Sequence, residues 1–390
     1  MALNEKQIQY RKQGIEASYL AACALHDQMP VIAEDVEWDK LFKFCKFHSI
    51  TAIVAIALEM VWKDHPADDS VMKPWRQARD QAIRKNILLN AERERILAHL
   101  ESIGCWYMPL KGSLLQYDYP KFGMRQMSDN DILCDPAKTS EIRKFMLNSG
   151  YTCGQYLQGH HDEYSRKPVY NFEIHRRLFK PELAPLLAEY YADIRERCLK
   201  DEGNACGYHM SRSDFYIYFM AHAFNHFQES GIGIRHLLDT FIFLGKYESQ
   251  LNKDYVDQEL EKLGALGFER WCARISRKLL STPDRAPDFA DEDWQLLDAF
   301  FCSGTHGIEA QLFRNAYAKF SQGGKRSKFR YFLNRMFPSA EFLSGVYPIV
   351  KRCKWLVPFI WIHRLVRSVC VRPGRVFRET QDLLTRKESE

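Results

Sequence analysis

The sequence predicts an α+β fold: a small mixed-sheet core set between helical regions at either side. Three observations carry this. Apolar residues recur at helical spacing over roughly the first hundred residues and again after Pro181. Between them, from Cys105 to about Lys180, short runs rich in β-branched and aromatic residues alternate with Gly, Pro and Asp turns. The chain of 390 residues, 46% hydrophobic and 27% charged, is long enough for two or three soluble domains. The expected division is 1–103, an N-terminal helical region; 104–180, an α/β core; 181–320, a helical domain forming a cleft wall; and 321–390, a basic, Trp-rich C-terminal region.

Gln7 to His26 has apolar and small residues on one side, and Trp38 to Trp62 repeats the pattern. Pro74 is placed as the first residue of a long helix whose apolar face runs through Ile83, Leu89, Ile96 and Leu100. Gly104 would stop it. Cys105–Leu110 reads as a strand, Gly112 to Tyr117 as a short helix, and Asn130–Cys134 as a second strand. Asp135-Pro136 suits an N-cap followed by a first helical residue, with that helix ending near Gly150. His160–Arg166 and Val169–His175 read as a hairpin about Lys167-Pro168, with Asn171, Glu173 and His175 on one face. Beyond Pro181, Ser213 to Phe227 is helical, and Arg235 and Asp239 are spaced as an i, i+4 ion pair.

The chemistry concentrates in Leu110-Lys111-Gly112-Ser113, Arg125, and Ser128-Asp129-Asn130-Asp131-Ile132-Leu133. Asp129 and Asp131 are spaced i, i+2, so on a strand they project from one side. Adjacent carboxylates repel unless a cation sits between them. Hard oxygen donors suit Mg²⁺, which takes one or two carboxylates together with substrate phosphates. The Gly-Ser turn offers backbone N–H groups for phosphates. The bland alternative is a solvated turn capped by Asp.

These elements resemble the uncharacterised nucleotidyltransferase family of the polymerase-beta-like superfamily, in which a Gly-Ser turn, an Asp-x-Asp strand and a third carboxylate on a neighbouring strand follow in order. Asn171-Phe172-Glu173-Ile174-His175 resembles the third element. The resemblance implies a nucleotidyltransferase core that moves a nucleoside monophosphate from a nucleoside triphosphate to an acceptor, releasing pyrophosphate. Asp129, Asp131 and Glu173 would be the catalytic and metal-binding carboxylates, holding two Mg²⁺ ions, with Mn²⁺ able to substitute. Lys111, Gly112, Ser113, Arg125 and His175 would bind the nucleotide, ATP among the candidates. The acceptor stays open among a sugar, another small molecule, a protein side chain and an RNA end. A different class of reading is a catalytically inactive nucleotide-binding protein, or one that interacts with membrane or nucleic acid. Asn130, between the carboxylates, departs from the apolar residue usual in the superfamily and should face away from the site.

Two histidine groups invite a metal reading. His160 and His161 are sequential, and on a hairpin should point to opposite faces, so no shared metal is expected. His222 and His226 are spaced i, i+4 on a helix, but no third ligand accompanies them, so helix packing or contact with a base is expected instead.

Composition excludes several classes. Eleven cysteines without a Cys-x-x-Cys pair read as reduced thiols, not a disulfide framework or zinc ribbon. The polar Met1–Gln13 stretch is no signal peptide, and no window of about 20 residues is apolar enough to span a bilayer. A cytoplasmic protein is expected. The formal charge of +5 conceals an uneven distribution: thirteen Lys and Arg between Lys325 and Arg378 face one acid, Glu341. Interleaved Trp355, Phe359 and Trp361 suit peripheral attachment to an anionic membrane surface, stacking on nucleic acid, or packing on the body of the protein.

Overall fold

The computed structural model describes residues 4–62, 69–304 and 353–361. Met1–Leu312 forms one compact unit and Phe313–Glu390 a second. The basic, Trp-rich segment expected at the C-terminus belongs to the second and lies outside the described residues, except for 353–361. Among the described residues, no helix is long and apolar enough to cross a membrane.

The first unit opens with α1 (Glu5–Leu25), whose start is fixed by Asn4 and Gln7 in a reciprocal capping box. The expected Trp38–Trp62 helix is two, α2 (Trp38–Phe47) and α3 (Thr51–Trp62). Ser49 takes a left-handed backbone between them (φ 53°), and the Ile50 N–H closes the end of α2 on Cys45. The long helix α4 runs Asp69–Ser102, so Pro74 lies inside it and not at its first position. Asp69 and Ser70 extend the helix upstream, and a proline this near the N-terminus disrupts few intrahelical bonds.

The sheet is assembled from β1 (Tyr107–Pro109), β2 (Asn130–Cys134), β3 (Thr152–Cys153), β4 (His161–Arg166) and β5 (Tyr170–His175). Its order is β1-β2-β5-β4-β3. The β2–β5 pair is parallel and the others are antiparallel, which makes the sheet mixed as expected. A short α5 (Gly112–Leu115) follows β1, and α6 (Thr139–Asn148) follows β2. After the sheet come α7 (Pro185–Tyr190), α8 (Ile194–Arg197), a two-stranded ribbon β6 (Leu199–Lys200) and β7 (Tyr208–His209), α9 (Arg212–Glu229), α10 (Arg235–Tyr247), α11 (Lys253–Lys262), α12 (Leu266–Leu280) and α13 (Asp291–Ser303). The ribbon was not expected from the sequence. Its strands are two residues each, too short to show alternation.

Two cores explain why the sheet has a buried face on each side. Ile132, Cys134, Phe172, Ile174 and Tyr164 pack with Leu89, Ile96 and Leu100 of α4 and with Ile142 and Met146 of α6. Met108, Leu110 and Leu133 join the larger helical core with α1, α3, α9 and α10. The strands therefore alternate between an apolar α4 side and the side that carries the charged residues.

Burial also fixes the charge state of several histidines. His48 is fully buried, with Nε2 3.0 Å from the Phe301 carbonyl. Burial pushes its pKa down to about 3, and that of His236 down to about 4. Between these values and the unfolded value near ~6.5 the unfolded chain binds more protons, so stability falls as pH falls. Each such histidine contributes about 1.4 kcal/mol per pH unit over that window. Chemical denaturation at pH 7, 6 and 5 should show this loss, and His48→Gln should flatten the slope. An unchanged slope in that variant would sink the assignment.

Candidate active site

The first fixed point is the turn after β1. Lys111 adopts φ 51°, ψ −121°, a conformation that non-glycine residues rarely take. The strain places Lys111 Nζ 2.9 Å from Asp131 Oδ1. The adjoining Gly112 has no room for a side chain, since a Cβ would collide with the Arg125 guanidinium. That guanidinium cannot swing away freely. Its Nε and Nη2 donate to the two carboxylate oxygens of Asp239 at 2.7 and 2.9 Å, and Tyr119 donates to Asp239 at 2.8 Å. Gly112→Ala should therefore cost about 1–3 kcal/mol, read as a lower urea midpoint. A neutral result would mean that Arg125 is loosely held.

The loop before β2 is pinned from elsewhere in the unit. Asn86 on α4 donates to the Arg125 carbonyl at 2.9 Å, and Lys85 donates to the Ser128 carbonyl at 2.9 Å. Gln126 accepts from the Thr51 hydroxyl at 2.8 Å and from the Ala52 N–H at 3.0 Å. Asp129 then enters β2 from a backbone already held on both sides. Asn130, buried, accepts from Arg93 on α4 at 3.2 Å, so it faces away from the carboxylates as expected. That face is buried.

Asp131 pairs in register with Glu173 across the parallel β2–β5 contact, and Leu133 pairs with His175. His175 Nε2 lies 2.9 Å from Asp131 Oδ1 and 3.5 Å from Glu173 Oε2. The charge states follow from these contacts. Burial alone would raise the Asp131 carboxyl, but Lys111 and His175 hold it well below the usual carboxylate range. Burial would likewise lower His175, yet hydrogen bonds to Asp131 and Glu173 raise it. Asp129 has a nearby cation in Lys111 and accepts from the Ser128 hydroxyl at 2.9 Å, but these are outweighed. Its carboxyl is pushed up by burial and by the charges of Asp131 and Glu173. A divalent cation would relieve that repulsion, so the donor set fits a hard metal ion.

A family model described as "Uncharacterised nucleotidyltransferase" matches residues 34–281, more than half of the chain. The chain belongs to this nucleotidyltransferase family. No curated protein and no solved structure matches it. The matched span takes in most of the N-terminal helices, the whole sheet and the helices through α12, so the family includes the helical walls as well as the sheet.

In this member of the family, several expected contacts are arranged differently. Arg125 does not stand open toward a triphosphate but is nine-tenths buried against Asp239. Asp239 is bound by Arg125, not by the Arg235 four residues before it; Arg235 instead donates to the Gln126 carbonyl at 3.4 Å. The i, i+4 spacing put Arg235 beside Asp239 in sequence, but the bidentate fit went to the more distant arginine. The Ser113 hydroxyl and N–H both turn back to the Leu110 carbonyl, at 2.6 and 3.3 Å, so they serve the turn.

His160 and His161 also differ from expectation. His160 precedes β4, where alternation does not apply, and its Nε2 lies 3.2 Å from His161 Nδ1. His161 pairs with His175 across β4–β5, which carries it to the carboxylate face. On the opposite wall α9 presents Tyr218 and His222. The Tyr218 hydroxyl is raised by burial, and His222 is held neutral by burial and by Lys111. His222 and His226 Nε2 atoms are 3.2 Å apart. Lys85 and Tyr218 sit on helices and carry no sequence motif; the fold alone brings Lys85 to the Ser128 carbonyl beside Asp129 and Tyr218 to the wall facing Lys111 and Asp131. His161, expected to share no metal, reaches Glu173 instead of facing away.

Proposed function

We propose that this protein transfers a nucleoside monophosphate from a nucleoside triphosphate to an acceptor bearing a nucleophilic oxygen, in a Mg²⁺-dependent reaction. The observation that carries this reading is the in-register pairing of Asp131 with Glu173, with Asp129 just before β2 and Lys111 and His175 on the same cluster. The three carboxylates form a donor set for two cations.

Asp129 and Asp131 would hold both ions and Glu173 the ion nearer the acceptor; Mn²⁺ can replace Mg²⁺. The ions supply charge neutralisation at the phosphates and align the attacking and leaving oxygens. Glu173 is more exposed than Asp131 opposite it, with 22% of its side chain accessible against 8%, and receives the acceptor's proton. The acceptor oxygen bonds to the α-phosphorus as the bond from that phosphorus to the bridging oxygen breaks, and pyrophosphate leaves. Lys111, freed from Asp131 when the carboxylate takes a cation, neutralises the triphosphate. Gly112 lets the backbone approach the phosphates. Arg125 acts as a positioning residue through Gly112 and Asp239, and the Ser113 hydroxyl closes the turn.

Calorimetry with each ribonucleoside triphosphate, with and without Mg²⁺, tests the reading. Metal-dependent binding of at least one triphosphate is expected, followed by pyrophosphate release once acceptors are screened. Binding that ignores Mg²⁺, or no binding to any of the four, would overturn it.

A further inference from the structure

We propose that the edge of the carboxylate cluster is a second kind of metal site, in which His160, His161 and His175, with Glu173 as the carboxylate ligand, take a divalent ion of the Zn²⁺–Co²⁺–Ni²⁺ class. Each of the three histidines offers a ring nitrogen, and the three atoms lie within 4.8 Å of one another. Asp131, Glu173 and His175 form an overlapping group under the same limit, so His175 and Glu173 border both sets.

The spacings suit ligation of one ion. His160 Nε2 to His161 Nδ1 is 3.2 Å, His161 Nδ1 to Glu173 Oε2 is 3.7 Å, and His175 Nε2 to Glu173 Oε2 is 3.5 Å. Four N and O ligands held tetrahedrally at ~2.1 Å from one ion would stand roughly 3.4 Å apart. The rings surround a common volume and do not stack. Their centroids are 4.4, 5.0 and 5.3 Å apart, with planes inclined at 69°, 54° and 66°.

His175 is held inside the protein, with 1% of its side chain exposed, and as a ligand through Nε2 it would give up to the ion the proton it holds against Asp131. The backbone holds the cluster in place. His161 is paired with His175 in the ladder, and the His160 carbonyl accepts from the Arg176 N–H at 2.8 Å. Imidazole donors select transition metals, while Mg²⁺ prefers oxygen. The two sets are thus chemically distinct although they share an edge.

The test needs no nucleotide, so its failure is separate from failure of the transfer reaction. The full chain is stripped with a chelator and titrated with Co²⁺, following visible absorption and heat. The expected result is a stoichiometric site with the absorption of low-coordinate Co²⁺, displaced by Zn²⁺ but not by a roughly 100-fold excess of Mg²⁺. His160→Ala and His161→Gln should each weaken Co²⁺ binding at least about tenfold, with circular dichroism and the melting temperature reporting that both fold. Asp129→Asn should leave the Co²⁺ spectrum unchanged. The proposal is overturned if wild type binds no Co²⁺, if Mg²⁺ displaces it at comparable concentration, or if both folded histidine variants bind it as wild type does.

Discussion

Asn in place of either Asp129 or Asp131 should abolish metal-dependent triphosphate binding, while only the Asp131 variant should lower stability. Each substitution removes a charged oxygen donor from a set of three, and loss of at least about 10²–10³-fold in binding or turnover is expected for either. The stability difference comes from the neighbours. Asp129 has its carboxyl pushed up by burial and by Asp131 and Glu173. A carboxylate whose folded pKa lies above its unfolded value opposes folding when ionised, and that cost is present at neutral pH and relieved as pH falls. Asp129→Asn should therefore leave the melting temperature unchanged or raise it.

Asp131 is the reverse case. It offsets two partly or fully buried cations, Lys111 Nζ and His175 Nε2, each at 2.9 Å. Its folded pKa is depressed, so its stabilisation is present above the unfolded carboxylate value and is lost as pH falls. Asp131→Asn leaves those cations short of a countercharge and should destabilise the protein by about 1–3 kcal/mol. Scanning fluorimetry at pH 7, beside calorimetry with Mg²⁺ and triphosphate, reads both effects on the same samples. Equal destabilisation by the two variants would show that Asp129 is not held against repulsion.

The contrast bears on what the sequence made legible. Asp129 and Asp131 were placed together by their i, i+2 spacing and Glu173 by the family resemblance; in the structure Asp131 lies on β2 and Asp129 one residue before it. That β2 lies beside β5, with Asp131 opposite Glu173, came only from the family resemblance, because strand order is set by crossovers and not by local pattern. The sheet, the hairpin at Lys167-Pro168 and the helical flanks followed the hydrophobic periodicity. Misplaced features depended on sterics or long-range choice. Ser49 broke one helix with a left-handed residue, Pro74 sat inside another, and His160 escaped strand alternation by lying one residue before β4. Arg125 and Asp239 are 114 residues apart, and no spacing rule pairs them. Helical spacing offered Arg235 instead, whose hydrogen bond goes to the Gln126 carbonyl.

That distant pair should give the largest single-substitution effect on stability. Arg125 and Asp239 have 8% and 5% of their side chains exposed, and each charge depends on the other. Burial would raise the Asp239 carboxyl, but Arg125 holds it below the usual range. Removing one partner strands the other charge in the core, so Arg125→Leu or Asp239→Leu should each cost about 3–5 kcal/mol. The double variant should cost much less than the sum, because two apolar side chains leave no unpaired charge behind. Arg125→Lys should recover only part, since an ammonium cannot donate to both carboxylate oxygens in the fork geometry. Because the folded pKa of Asp239 is depressed, the pair's contribution is complete above the unfolded carboxylate value near ~3.9 and disappears as pH falls through the folded one. Urea midpoints for the four proteins at pH 7 measure the coupling. Additive single costs would mean that the two side chains act separately. Strong coupling, together with weakened triphosphate binding in Arg125→Lys at temperatures where it stays folded, would tie the ion pair to the Gly112 turn: a guanidinium locked by Asp239 leaves that turn room for glycine alone, and so shapes the backbone from which Lys111 reaches Asp131.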